Sequence, residues 1–195
     1  MNIEALGEPL KAEEIEFRIQ SINAFGKATI LAYKDARADM TRLDKAVGAL
    51  NWKREHSNGN ANCTVSIYNP ETKEWVGKED TGTESMSDAQ KGLASDSFKR
   101  ACFNWGIGRE LYDYPVIQIK LNGDGKGADA TKFDDEWIAK GKNGKPQQTW
   151  ALKLKEWRWL NVFENGVLVY LAGKDSKGVL RFKYDVRTQK KQEKK

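Results

Sequence analysis

Two adjacent cations followed by an aromatic ring are the residues of this chain best suited to chemistry at a phosphate backbone. Lys99 and Arg100 stand four and three positions before Phe103. In a helix that turns about 100° per residue, the two cations lie on either side of the Phe103 ring. Cations neutralise phosphates, and an exposed ring stacks on an unpaired base, so the pattern indicates a nucleic-acid surface. An ordinary solvated helix face, on which adjacent Lys-Arg pairs are common, is the alternative.

The element that must position these side chains is a helix with sequence signals at both ends. Ser87 followed by Gln90 has the spacing of a capping box, which satisfies the first free backbone amides of a helix. Gly106, directly after Trp105, most easily takes the left-handed conformation that ends a helix. We therefore predict a helix from about Asp88 to about Trp105.

Winding this helix separates an apolar stripe from a polar face. The stripe that would pack on a core consists of Ala94, Phe98, Ala101, Cys102 and Trp105. Asp96, Lys99, Arg100 and Phe103 then face away from that core. The cations and the ring are consequently expected on the exposed side.

The segments before residue 50 predict two helices with a strand between them. Ile15, Ile19 and Ile22 recur at intervals of four and three, which predicts a short amphipathic helix over residues 12–22. The run ATILAY predicts a strand. A second helix should start near Asp35 and end near Leu50, because apolar residues follow at helical spacing.

The next thirty residues change to a strand pattern. The runs NWKREHS, NANCTVSIY and KEWVGKEDT are divided by turn signals at residues 57–59 and 69–72, which predicts a three-stranded meander. Such a sheet must bury one face, and the apolar stripe of the following helix is the expected cover. The predicted fold class is therefore α+β, with a β-β-β-α core.

The predicted core spans residues 1–115, and the rest of the chain divides into three parts. Residues 116–148 start with the extended run VIQIKL and continue as a flexible Gly/Lys/Asp-rich linker. Within the linker, KFDDEWIAK is either one helical turn or disordered. Residues 149–186 predict a second β-meander, and residues 187–195 predict a basic disordered tail.

The second meander is rich in aromatic residues that have two interpretations. A hydrophobic core face is favoured, since alternating aromatics are how small sheets make one. A stacking platform for bases is the alternative. The residues concerned are Trp157, Trp159, Tyr170, Phe182 and Tyr184.

Residues 80–115 closely resemble the signature of the Rad-fifty-two superfamily of single-strand annealing proteins, especially its phage Sak-like and bacterial DdrA-like branches. The corresponding features are an acidic, glycine-containing strand end at residues 79–84, the helix with its Lys-Arg pair, and the aromatic-glycine turn at residues 105–106. Weaker similarity runs from about Pro9 to Pro115. The resemblance implies the β-β-β-α fold and an oligomeric ring or filament that binds single-stranded DNA.

The resemblance also implies roles for particular residues. Lys99 and Arg100 correspond to a pair that lines a groove for single-stranded DNA, and Tyr33 corresponds to a tyrosine at that groove. Arg18, at the end of the first predicted helix, is a looser match to an arginine of the family. Many relatives carry a further basic residue at the position of Phe103, so we expect fewer phosphate contacts and more stacking or subunit packing there.

Charge is distributed unevenly along the chain. Residues 1–115 carry 15 Lys+Arg against 18 Asp+Glu, whereas residues 116–195 carry 18 against 10. A nucleic-acid groove in the first part must therefore be a local concentration of cations. Lys73 and Lys78 are further candidate contacts to a duplex or an incoming strand, or else are solvated strand lysines.

Nucleotide hydrolysis and nucleophilic catalysis find little support in the sequence. No segment has the phosphate-binding pattern G-x-x-x-x-G-K-[ST]. The single histidine, His56, has no recognisable nucleophile placed with it. Cys63 and Cys102 are predicted to be reduced thiols rather than the ligands of a metal knuckle. We expect no cofactor, no metal and no enzymatic activity.

A metal-dependent nuclease is the enzymatic alternative. Such a site needs two or three carboxylates around a cation, often with a lysine nearby. Glu71 with Lys73, and the cluster Glu79, Asp80 and Glu84, offer these groups, although carboxylates at strand ends are ordinarily solvated.

The sequence thus predicts an ATP-independent protein that binds single-stranded DNA and anneals it to a complementary strand in recombination or repair. A protein that only protects DNA ends or scaffolds a partner is the other alternative. The expected partners are DNA, further copies of the chain, and a host single-strand-binding protein or a phage exonuclease. No apolar run could cross a bilayer and the N-terminus lacks a signal-peptide pattern, so the cytoplasm or nucleoid of a bacterial host is expected.

Overall fold

The protein is described by a computed structural model that covers residues 1–83, 89–121, 137–142 and 144–187. Its backbone divides into two compact units. The first unit comprises Met1–Glu14 and Lys34–Tyr112, and the second comprises Ile15–Tyr33 and Asp113–Lys195. This division differs from the predicted boundary at residue 115, because the segment Ile15–Tyr33 clusters with the later part of the chain.

The described elements are α+β, as predicted, and the strands pair antiparallel wherever their register is defined. The helices are α1 (Ala36–Val47) and α2 (Ala89–Asn104). The strands are β1 (Ile15–Ile22), β2 (Lys27–Lys34), β3 (Trp52–Ser57), β4 (Asn62–Asn69), β5 (Glu74–Thr81), β6 (Ile117–Lys120), β7 (Ile138–Lys140), β8 (Pro146–Gln148), β9 (Arg158–Glu164), β10 (Val167–Lys174) and β11 (Leu180–Asp185). None of the helices in the described part of the chain is long and apolar enough to cross a membrane.

The first unit contains the predicted meander β3-β4-β5 with α2 packed on it. Trp52 of β3 pairs with Ile67 of β4, and Val65 of β4 pairs with Lys78 of β5. Alternate residues of β4 point into one hydrophobic core that α1 and α2 share. The buried members of this core are Leu6, Leu43, Ala46, Val47, Cys63, Val65, Ile67, Phe98, Ala101, Cys102 and Ile107. The β-β-β-α arrangement of the sequence analysis is therefore confirmed.

The helix predicted over residues 12–22 is wrong. A short 3-10 turn over Ala12–Glu14 leads directly into β1, in which Ile15 and Phe17 are both buried. The isoleucines fit a helical period, but the residues from Ile15 to Ile19 also alternate with a period of two. Pairing with β2 across the turn that starts at Asn23 supplies the backbone partners that select the strand.

The helix predicted to reach Leu50 ends three residues earlier. Gly48 adopts a φ of 92°, which terminates α1 after Val47. Leu50 is 92% exposed, so it extends the helical spacing in sequence without belonging to the buried stripe.

Within the described residues, the second unit contains three small sheets. Their strand orders are β1-β2-β6, β7-β8 and β9-β10-β11, and the last is the predicted C-terminal meander. The predicted linker thus contains β6, β7 and β8, while most of its Gly-rich part, residues 122–136 with residue 143, lies outside the described residues. In KFDDEWIAK, residues 138–140 form a strand rather than a helical turn, because they pair with Pro146–Gln148.

Candidate nucleic-acid interface

Helix α2 separates a buried face from a partly exposed one, as its pattern predicts. Phe98, Ala101 and Cys102 are fully buried, whereas Lys99 and Arg100 are half-buried on the other side. The described helix begins at Ala89, next to the predicted start, and the capping residue Ser87 lies outside the described residues.

The C-terminal end of α2 is closed by the predicted glycine turn. Gly106 has a φ of 97°, and its N–H donates to the Phe103 carbonyl oxygen at 2.9 Å. The N–H of Ile107 donates to the Cys102 carbonyl oxygen at 3.1 Å, which completes a Schellman motif. This geometry ends the helix one residue before the predicted Trp105.

A glycine allows α2 to approach the end of β5 closely. A Cβ on Gly82 would lie 2.6 Å from the Ser97 nitrogen and 2.9 Å from the Leu93 carbonyl oxygen. The next residue, Thr83, donates its backbone N–H to Asp96 of α2 at 2.9 Å. The acidic, glycine-containing segment at the end of β5 is therefore the seam at which α2 packs closely against the sheet.

Arg100 is held at this seam by an acidic partner. Its Nε donates to Asp80 Oδ1 at 3.3 Å, and 40% of its side chain remains exposed. Asn104, one turn later, donates to the Glu79 carbonyl oxygen at 3.0 Å. A guanidinium has five N–H donors and the Asp80 contact uses one, so Arg100 can still bind a phosphate in this orientation.

Lys99 lies in an acidic neighbourhood close to the start of α1. The pKa of Asp35, the N-cap of α1, is lowered chiefly by hydrogen bonds from Arg37, and the positive charge of Lys99 adds to this effect. The two predicted cations thus stand on a face that also contains carboxylates, which agrees with the weak negative charge of the first part of the chain.

Phe103 is not the exposed ring that the sequence analysis expected. It is half-buried between Lys34, whose Nζ lies 4.0 Å from the ring centroid, and Tyr112, whose ring centroid lies 5.0 Å away. The ring is covered because the chain after Gly106 folds back over α2. The neighbour that is exposed is Tyr112, at 65%.

A buried ion pair between Lys34 and Asp39 lies next to the Phe103 ring. Lys34 Nζ donates to Asp39 Oδ1 and, at 2.7 Å, to the Ile107 carbonyl oxygen. Both charged side chains are almost fully buried. Burial raises the pKa of Asp39 to about 6 against the attraction of Lys34, and burial also lowers the pKa of Lys34.

The candidate lysines of the second hairpin lie in different settings. Lys78 Nζ donates to the Asn104 carbonyl oxygen at 2.9 Å and lies 4.3 Å from the Trp105 ring centroid, so it caps the C-terminus of α2. Lys73 is exposed in the β4-β5 turn with a φ of 57°. A DNA contact by either residue stays a prediction.

Tyr33 and Arg18 contact each other within the second unit. The Tyr33 hydroxyl donates to Glu16 Oε2 at 2.6 Å, and the Arg18 guanidinium lies 5.2 Å from the Tyr33 ring centroid. Arg18 lies on β1, not at the end of a helix. Their predicted roles in DNA binding also stay predictions.

Two carboxylates of the nuclease alternative accept hydrogen bonds from neighbouring side chains. Glu79 accepts from Asn62 at 2.8 Å and from Thr64 at 3.0 Å, and Asp80 accepts from Arg100. Glu84 lies outside the described residues. Within the described ranges, no group of three His, Cys, Asp or Glu residues could hold a metal ion.

His56 has a hydroxyl neighbour that the sequence analysis missed. Ser97 Oγ lies 3.5 Å from His56 Nδ1, but it donates to the Asn60 carbonyl oxygen at 2.9 Å. Ser97 is fully buried, so its hydroxyl fastens α2 to the β3-β4 turn rather than facing a substrate.

Comparison with known proteins identifies the segment that builds this surface. Residues 58–126 match the model of the Rad52/22 family double-strand break repair protein. These residues are thus similar to part of that family. The match contains β4, β5 and α2, and with it Gly82, Lys99 and Arg100. The resemblance inferred from the sequence is thereby confirmed.

The chain is also similar to a curated DdrA protein. The single-stranded DNA-binding protein DdrA of Deinococcus radiodurans is 35% identical over 113 residues, which is 56% of this chain. The aligned region is 54% of the relative, so the chain spans about half the length of that curated protein.

The sequence analysis predicted the cations of this surface but missed the residues that support them. Asp39 gave a signal, because it lies one turn before Leu43 on the apolar stripe of α1. Lys34, its partner, is in phase with the buried Ala28 and Ile30 of β2, but a lysine is rarely buried, so the alternation alone did not predict it. Arg109 also gave no signal, although it donates to the Phe103 carbonyl oxygen at 2.9 Å and so holds the end of α2.

Proposed function

We propose that this chain binds single-stranded DNA and promotes its annealing to a complementary strand in recombination or repair, without ATP. The observation that carries the proposal is the Rad52/22-family match over residues 58–126, together with a Lys-Arg pair on the outward face of the matched helix. The name of the DdrA relative, a single-stranded DNA-binding protein, supports the same ligand.

The proposed contact surface is the outward face of α2 beside the end of β5. Lys99 and Arg100 bind phosphates there, and each contact releases counterions from the strand. Asp80 orients Arg100 at 3.3 Å, and the Gly82 seam keeps strand and helix in fixed register. Bases that are not held by the protein remain available to pair with an incoming strand.

Oligomerisation is part of the proposed mechanism. Two cations per chain give only weak binding, but several chains along one strand multiply the sites without new contacts. A ring or a filament would both achieve this. A host single-strand-binding protein or a phage exonuclease is the expected protein partner, and the bacterial cytoplasm or nucleoid is the expected location.

The annealing activity can be tested directly. Two complementary oligonucleotides carrying a fluorescent donor and acceptor are mixed with the protein, without nucleotide and with excess chelator. Energy transfer reports pairing, and a denaturing gel reports strand length. Faster pairing of intact strands supports annealing, whereas tight binding without faster pairing would replace it by end protection or scaffolding. Strands shortened only when magnesium replaces the chelator would move the assignment to a nuclease.

The contribution of the cation pair is tested by Lys99→Ala with Arg100→Ala. Each phosphate contact to a single strand adds about 0.7 to the slope of log K against log salt, so losing two lowers the slope by roughly 1.4. Lys11→Ala with Lys45→Ala is the matched control, because it removes two exposed cations of the same unit. Equal slopes for the two variants, measured by fluorescence anisotropy, would remove this surface from the proposal.

A further inference from the structure

The sheet β9-β10-β11 has one face turned towards solvent. Its strands pair antiparallel, and residues directly opposite each other share a face. Three cross-strand rows therefore form this outer face, Arg158-Lys174-Leu180, Leu160-Ala172-Lys183 and Val162-Tyr170-Asp185. Arg158, Lys174 and Lys183 are exposed, as is Leu160 at 54%.

The opposite face of the same sheet belongs to the core of the second unit. Leu171 is fully buried, and Trp159 stacks on Phe17 with ring centroids 3.8 Å apart and planes 9° apart. Gly173 makes room for the Trp159 ring, since a Cβ there would lie 2.8 Å from it. The core interpretation therefore holds for Trp159, whereas Tyr170 lies on the outer face.

Two cations lie over the Tyr170 ring. Lys183 Nζ lies 5.9 Å from the ring centroid, and Arg187 Cζ lies 5.3 Å from it. Two carboxylates share this surface, because Arg187 Nε contacts Asp185 at 3.0 Å and Arg187 Nη1 lies 3.7 Å from Glu164.

The outer face nevertheless keeps an excess of positive charge. Its four cations are Arg158, Lys174, Lys183 and Arg187, against two carboxylates. The excess continues along the chain, because residues 188–195 contain four lysines and one glutamate.

We infer that this outer face, with Tyr170 at its centre, is a second binding surface for single-stranded DNA. A half-buried ring with cations over it and exposed aliphatic side chains beside it offers a base contact next to phosphate contacts, and only an unpaired strand presents both a free base and a phosphate. The inference takes its ligand from the proposed function but uses none of the residues of the α2 surface. The Rad52/22-family match ends at residue 126, before this sheet begins.

The contact is tested on the full wild-type chain by photocrosslinking. The probe is an oligo(dT) strand of about 30 nucleotides with scattered 5-iodouridine, which exceeds the roughly 4–16 nucleotides typical of one binding domain. Trypsin releases residues 159–174 as one peptide, and Tyr170 is expected to carry the crosslink. Crosslinks confined to residues outside 159–187 would overturn the inference.

The energetic contribution is tested by Arg158→Gln, Lys174→Gln and Lys183→Gln in one variant. Three lost phosphate contacts lower the salt slope for oligo(dT) binding by roughly 2. The matched control, Lys142→Gln with Lys153→Gln and Lys155→Gln, removes three exposed lysines of the same unit that lie outside the face. A face variant with the slope of the control would refute the inference, and urea unfolding verifies that both variants fold.

The same variants distinguish this surface from the α2 surface. The face variant is also made in the Lys99→Ala, Arg100→Ala background, and it is expected to lower the slope by the same amount there. An effect of the face variant alone would retain this inference and remove the α2 surface. An effect of the Lys99→Ala, Arg100→Ala variant alone would retain the α2 surface and remove this inference.

Competition with polyglutamate, which offers negative charge without bases, tests the stacking. Polyglutamate should not displace the strand from this face, and competition equal to that of oligo(dT) would contradict base stacking.

Discussion

Replacement of Gly82 by alanine tests whether the seam between β5 and α2 is as tight as the structure shows. The added Cβ would lie 2.6 Å from the Ser97 nitrogen, 2.9 Å from the Leu93 carbonyl oxygen and 3.0 Å from the Ser97 Cα. All three are backbone atoms of a helix, so no side-chain rotation can relieve the contact. The helix and the strand end must instead separate by about 0.8 Å to reach the 3.4 Å of ordinary contact.

The cost of this separation follows from what the seam contains. Overpacking of a tight site costs about 1–3 kcal/mol. The shift also strains the Gly82 N–H bond to the Ala61 carbonyl oxygen at 2.7 Å and the Thr83 N–H bond to Asp96 at 2.9 Å. Each such bond contributes about 1 kcal/mol net. We expect Gly82→Ala to lower the free energy of unfolding by about 3 kcal/mol and to weaken binding of oligo(dT), because Lys99 and Arg100 move with the helix.

Urea unfolding followed by tryptophan fluorescence measures the first effect, and anisotropy measures the second. Gly7→Ala is the matched control, since a Cβ at Gly7 meets nothing within 4 Å. That control should change the unfolding free energy by no more than about 0.5 kcal/mol. A Gly82→Ala protein as stable as the Gly7→Ala protein would show that the strand end and α2 are not packed as described.

Four further predictions follow from buried and paired groups. Lys34→Met leaves the buried Asp39 carboxylate without its partner and should cost about 3–5 kcal/mol, while Lys34→Met with Asp39→Leu should cost clearly less. Burial raises the pKa of Asp39 from 3.8 to about 6, so the native state binds a proton at this carboxylate more readily than the unfolded state does. The free energy of unfolding should therefore fall as the pH rises from about 4 to about 7. Asp39→Asn should remove this pH dependence, as measured by urea unfolding at each pH. Burial raises the pKa of Cys63 to about 11 and raises that of Cys102 further, so neither thiol should react with a disulfide reagent at mildly alkaline pH until the protein unfolds. Asp80→Asn removes a carboxylate from the proposed phosphate site beside Arg100 and should tighten oligo(dT) binding by roughly two- to fivefold.

For each of these four predictions, one result would contradict the physical reason given. A double variant as unstable as Lys34→Met would show that the loss comes from packing rather than from an unpaired charge. Parallel pH profiles for Asp39→Asn and the wild-type chain would mean that Asp39 does not titrate in this window. Rapid labelling of either thiol in the folded protein, measured against the unfolded protein as the reference, would contradict the burial of the core. Weaker binding by Asp80→Asn would assign that carboxylate an orienting role greater than its charge repulsion.

The sequence predicted the elements whose signals are local. The meander β3-β4-β5, the glycine end of α2 and the C-terminal meander follow from turn residues and from periods of two or 3.6. The separation of Phe98 from Lys99 and Arg100 follows from the same periodicity, because helix geometry alone decides which side chains share a face. The resemblance to the Rad52/22 family was recognisable for the same reason, since the matching motif is contiguous.

Local signals failed where two patterns fit or where the end of an element depended on packing. Ile15, Ile19 and Ile22 fit a helical period, whereas residues 15–19 also alternate with a period of two, and only pairing with β2 selects the strand. Leu50 continues the spacing of α1, but the left-handed Gly48 ends the helix before it. A helical wheel predicts that Phe103 is exposed. The side chains of Tyr112 and Lys34, which belong to other segments of the chain, nevertheless contact its ring.

The sequence by itself determined the class of fold, the resemblance of the central segment to the Rad52/22 family and the side of α2 on which its cations lie. Only the tertiary structure decided that Lys34 and Asp39 form a buried pair, that Asp80 holds Arg100, and that Tyr170 lies on an outer face while Trp159 lies in a core. The physical reason is the range of the interactions. Periodicity and capping involve residues within a few positions of each other, whereas burial and charge pairing depend on segments that approach only when the chain has folded.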